Sequence, residues 1–140
     1  DADVPIVPLS MQTHEGPAHA YRVGQALSGL AEKNIWVIAS GNITHSLRDW
    51  QVAASTNGQT PAYVHRFADW VAEKVSANDV AALLNYRQHS ADGRQAHPSE
   101  DHLLPLYVAL GAAGAGATPQ AFYRGVSDYV IAMDGYAFVN

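Results

Sequence analysis

Ile35-Trp36-Val37-Ile38-Ala39-Ser40-Gly41-Asn42-Ile43-Thr44-His45-Ser46-Leu47-Arg48 is the stretch that decides the fold expected of this chain. Its first five residues are continuously apolar, without the alternation of a strand that has one wet face. Such a run is what a central parallel strand buried on both faces looks like. Gly41 then permits a sharp turn, and His45 is delivered at the rim of the sheet. Ligands of open α/β sheets bind there, beyond the carboxyl ends of the strands.

Upstream, Val4-Pro5-Ile6-Val7-Pro8-Leu9-Ser10 reads as a second strand, and its two prolines place it at an edge or an end. Between the two runs, Pro17 opens a helix and Asn34 closes it. A strand–helix–strand order implies a right-handed parallel crossover. The expected fold class is therefore α/β, a central, mostly parallel sheet flanked by helices. Downstream, helical spacing predicts helices over 61–76, burying Val64, Phe67, Ala68, Val71 and Val75, then over 78–86 and 101–112. A polar loop at 87–96 precedes the last of these, and the small-residue turn Gly111–Gly116 ends it. Residues 128–133 read as a final strand and 135–140 as a tail. Three strands are few for a free-standing sheet covered on both faces. Residues 1–140 are accordingly expected to be the C-terminal portion of a larger single domain.

Composition narrows the function classes. Lys plus Arg is 8 against 13 for Asp plus Glu, a net charge of −5, so the chain is a poor partner for nucleic acid. No apolar run reaches the roughly 20 residues of a membrane span. Asp1-Ala2-Asp3 lacks the basic start of a signal peptide, and the expected location is cytoplasmic. With no cysteine, a disulfide framework, a zinc ribbon and a thiol nucleophile are excluded. P-loop, dinucleotide and Gly-x-Ser-x-Gly motifs are absent.

Seven histidines carry the chemistry that remains. His45, after the apolar run, is a general base or metal ligand on one reading and a loop histidine bonded to a carbonyl on the other. The second cluster is Ala96-His97-Pro98-Ser99-Glu100-Asp101-His102-Leu103-Leu104-Pro105-Leu106. Glu100 and Asp101 suit the positive end of a helix dipole. His97 and His102 stand five apart, about 140° around a helix, and cannot share a metal from a regular one. His102 enters the apolar stretch and is directed inward. His65 is expected on a surface and His89 in solvent. His14 and His19 flank the first helix start.

At these clusters the sequence resembles a known family. Val4–Ser10, Ala39-Ser-Gly-Asn-Ile-Thr-His-Ser-Leu-Arg48, His97-Pro-Ser-Glu-Asp-His-Leu-Leu-Pro-Leu106 and Ile131–Phe138 together resemble the class III extradiol ring-cleavage dioxygenases of the 4,5-DOPA dioxygenase type, in their C-terminal half. The resemblance implies a non-haem Fe(II) site, with zinc possible in its place, that takes a small catechol and O2. It implies His102 as metal ligand and His45 as acid/base or ligand. Asn42, Arg48 and His97 are expected to bind substrate or support the site. The family's other metal-binding histidines lie in an N-terminal half that nothing here matches. The site is therefore expected to need that half of the same protein, or another subunit, and this chain alone to be inactive. A homo-oligomer is a further expectation. The alternatives are a non-catalytic relative that binds a ligand or protein in the same cleft, and a zinc-dependent hydrolase.

Overall fold

The computed structural model describes residues 3–56 and 58–139. Asp1, Ala2 and the last residue of the expected tail, Asn140, lie outside them.

The core is built on two helices. α3 (Ala62–Ser76) buries Val64, Phe67, Ala68, Val71 and Val75, the stripe expected from their spacing. α7 (Leu104–Ala113) is apolar on all sides and buries Leu104, Tyr107, Val108 and Leu110, with Pro105 in its first turn, where a missing N–H costs nothing. The Tyr107 hydroxyl, deep in this core, donates to the Leu83 carbonyl at 2.9 Å. α1 (Gly16–Ala26) lies along α7, and the contact is made backbone to backbone. A Cβ on Gly24 would strike the Val108 carbonyl, and one on Gly111 the Tyr21 carbonyl. Gly111 is thus a packing residue inside α7, not the start of the expected turn, and the helix runs on to Ala113. After α1 the chain tightens into a 3-10 segment, Ser28–Lys33, which Asn34 closes in the left-handed region at φ 57°.

Elements shorter than those expected fill the rest. α2 (Leu47–Ser55), unforeseen, starts where the Ser46 hydroxyl accepts the Asp49 N–H at 3.4 Å. The predicted 78–86 helix breaks at Asn85 into α4 (Val80–Leu84) and α5 (Tyr86–His89), and the predicted 87–96 loop holds α6 (Gly93–Ala96).

The expected central parallel sheet is not formed. The described strands make two small antiparallel pairs. β1 (Thr118–Tyr123) pairs with β4 (Gly135–Val139), the expected tail, and β2 (Val126–Ser127) pairs with β3 (Ile131–Ala132). Neither 4–10 nor 35–39 joins a ladder. Most of their side chains face solvent, with Ile6 88% and Trp36 86% exposed, while Val37 packs against the core. An all-apolar run becomes a central strand only when neighbouring strands pair with its edges, and no described strand pairs with either of these two.

Candidate functional site

The turn 41–46 crosses from the unpaired 35–39 run into α2, and its backbone is bonded on both sides. Asn42 N–H donates to the His102 carbonyl at 2.9 Å, and His45 N–H to the Ala96 carbonyl at 2.8 Å. On the opposite side Ile43 N–H donates to the Ala132 carbonyl at 2.9 Å. The buried Thr44 hydroxyl donates to the Val130 carbonyl and accepts the Ala132 N–H, both at 2.7 Å. Gly41 is required because a Cβ there would collide with the His102 carbonyl. Two distant stretches, 96–102 and 130–132, therefore hold this turn like a short strand between them.

That clamp brings His45 and His102 together. Their rings stack with centroids 3.6 Å apart and planes 17° from parallel. Burial lowers the His45 pKa from its ordinary 6.5, and the neighbouring His102 adds to the effect; Asp101 opposes it. Asp101 places Oδ2 3.3 Å from His102 Nε2, and its other oxygen, Oδ1, is buried without a hydrogen-bond partner. Its carboxyl is held below the usual range, chiefly by the Ser99 side chain beside it. Glu100 turns elsewhere, accepting from the Tyr86 hydroxyl at 3.1 Å and lying 3.3 Å from Arg87. The helix-dipole role expected of these two acids is replaced by specific partners.

The rings' arrangement limits what they can hold. An imidazole binds a metal through a lone pair in its own plane, at about 2.0–2.1 Å. Two nearly parallel planes 3.6 Å apart cannot both contain one ion at that distance. As placed, the two rings do not present their lone pairs to one ion. His102, beside the Asp101 carboxylate, has the chemistry of a ligand. Among the described residues no group of three or more His, Cys, Asp or Glu could hold a metal ion. These residues fit one corner of a metal centre and not a complete one.

A cavity of about 110 Å³ opens beside His102, walled by Gly41, Asn42, Phe122, Asp134 and Tyr136. It is smaller than the usual ligand pocket of about 300–1,000 Å³, but it adjoins an open groove of about 590 Å³ through Gly41, Phe122 and Asp134. The Asp134 carboxylate is satisfied by Arg124 Nε at 2.9 Å.

Asn42 stands on the cavity wall. Arg48 does not line either space; its side chain is exposed on α2. His97 is wholly buried and donates from Nε2 to the Ile43 carbonyl at 2.7 Å, so the expected substrate contact is replaced by a structural bond. Asp101 was missed as a site residue. Its signal was adjacency to His102, which a helix-dipole role also explained.

Fold and site together define a mixed helix–strand domain with a stacked histidine pair, of which His102 lines the cavity and His45 lines neither space. The chain belongs to the family of the catalytic LigB subunit of aromatic ring-opening dioxygenases, which it matches over residues 2–135. It is similar to the 4,5-DOPA dioxygenase extradiol of Beta vulgaris, 27% identical over 140 residues, which are 100% of this chain and 51% of the relative. The Escherichia coli K12 protein of the same name is 33% identical over 119 residues, 80% of this chain and 41% of that one. An uncharacterized Escherichia coli K12 protein of solved structure superposes with a TM-score of 0.83 at 25% identity, over 99% of this chain and 57% of that one. The chain spans about half the length of the curated relatives it matches.

Proposed function

We propose that the protein is an extradiol dioxygenase that opens the ring of a small catechol with O2, and that this chain supplies part of its site. The stacking of His45 on His102 beside an aromatic-walled cavity carries the reading, with the family membership behind it. Fe(II) is the proposed metal, with zinc as the alternative, and His102 is its ligand from this chain. Bound there, Fe(II) would supply the redox path between catecholate and O2.

This chain's own residues handle the proton. A catechol hydroxyl must lose its proton to bind as an anion, and a neutral imidazole can take it. His45 is suited to that role because burial and the nearby His102 hold it neutral at pH 7. Asn42, on the cavity wall, offers an amide to the substrate oxygens. The remaining ligands come from polypeptide outside residues 1–140, in the same protein or in another subunit. The exposed side chains of Ile6, Val7, Trp36 and Ile38 are the surface that this polypeptide would cover.

Oxygen uptake by the full-length protein with a catechol, with and without added Fe(II), tests the proposal. Uptake that depends on Fe(II) and yields a ring-opened product supports it. No uptake by the Fe(II)-loaded protein with any simple catechol overturns it.

A further inference from the structure

We propose that His97 is a positioning residue, which sets the place of His45 from inside the core by holding the carbonyl two residues before it. The proposal rests on the reading of His45 as the site's proton acceptor. His97 has no exposed surface and meets Phe67 and Tyr86 edge to face, with ring centroids 5.9 and 6.2 Å away. It lines neither the cavity nor the groove. An imidazole in such surroundings is costly to bury unless it makes a bond worth keeping. The bond it makes is to Ile43. A carbonyl oxygen only accepts, so the 2.7 Å contact puts the ring proton on Nε2.

The placement of that bond gives it leverage. Ala96, the residue before His97, accepts the His45 N–H at 2.8 Å. Adjacent residues therefore grip the turn at two points, the Ile43 carbonyl and the His45 amide, as two rungs of a ladder would. One rung is a side chain in place of backbone. From the other side Ile43 N–H is drawn to the Ala132 carbonyl at 2.9 Å. A turn held from both sides has no slack, so loss of the His97 rung shifts the plane of the Ile43 peptide and, with it, the ring of His45. The 3.6 Å stacking on His102 is the quantity that would change.

Two variants of the full-length protein test this. H97Q carries an amide nitrogen that reaches about as far as Nε2, and H97N carries one that stops short. Both are measured for kcat and KM on a catechol, and for the His45 ring resonance in the metal-free protein by NMR. H97Q is expected to leave the resonance and kcat near the parent's. H97N is expected to move the resonance and to lower kcat by about 10- to 100-fold with KM unchanged, the cost of one unmade buried bond. A folded H97N that keeps both, or an H97Q that loses as much as H97N, overturns the proposal. Should H97N not fold, H97Q decides alone, an unmoved His45 resonance supporting the proposal and a displaced one overturning it. If the parent turns over no catechol, the dioxygenase reading fails while the resonances still test the positioning.

Discussion

The imidazoles of His45 and His102 lie face to face, 3.6 Å between centroids and 17° from parallel, although 57 positions of sequence separate them. Two backbone bonds from the 41–46 turn, to the carbonyls of Ala96 and His102, produce this arrangement. The proposed separation of the two histidines' roles rests on this stacking, because one ion cannot lie in both ring planes.

The proposed role of His45 as base sets the expected pH dependence of catalysis. Its folded pKa is below 6.5, first through burial and then through His102. The base works only when neutral, so kcat/KM rises with pH on the acid limb, and the midpoint of that limb falls below 6.5. A pH–rate profile with its acid midpoint above 6.5 would contradict this.

His97 makes stability depend on pH in a defined window. Burial pushes its pKa down to about 4 from 6.5. Between those values the unfolded chain binds a proton that the folded chain does not, so folding loses stability as pH falls from 6.5 towards 4. The loss reaches about 3 kcal/mol at the lower end. Urea unfolding at intervals across this range should show that slope, and the slope should be shallower in H97Q, where the lowered pKa of His45 still contributes.

Close approach of α1 and α7 depends on Gly111. In G111A the new methyl meets the Tyr21 carbonyl and the Gln25 amide, both backbone, which cannot swing aside. The helices must separate, at an expected cost of about 1–3 kcal/mol. Denaturant unfolding of G111A against the parent measures it.

Asp101 should support whatever His102 holds. Its Oδ2 is 3.3 Å from His102 Nε2 and its Oδ1 has no partner. D101A is expected to weaken metal affinity about 10- to 100-fold, as loss of a carboxylate beside a ligating histidine commonly does. Competition with a chromogenic chelator reads this directly, without reference to turnover.

Local patterns were the legible part of this sequence. The α3 stripe of Val64, Phe67, Ala68, Val71 and Val75 follows from helical spacing, and Asn34 as a helix end from its tolerance of the left-handed region. His45 and His102 were legible as candidates through their motifs, and the structure brings their rings together. Features that depend on distant contacts were not. Gly111 looks like a turn residue until Gly24 is seen against it. His97 looks like a site residue because a buried histidine bonded to Ile43 carries the same letters as a catalytic one. The 35–39 run has the composition of a buried strand, yet a central strand needs partners on its edges, and no described strand pairs with it. β1 was hidden by Pro119, which breaks the pattern of a strand while being tolerated in this two-stranded pair.

The division of labour between the stacked histidines is the central claim, and metal content measured alongside turnover tests it most directly. In the full-length protein loaded with Fe(II), H45A should keep its metal and lose about 10²- to 10⁴-fold in kcat, the usual contribution of a positioned base. H102A should lose the metal itself. Loss of metal in H45A, or full retention in H102A, would contradict the account.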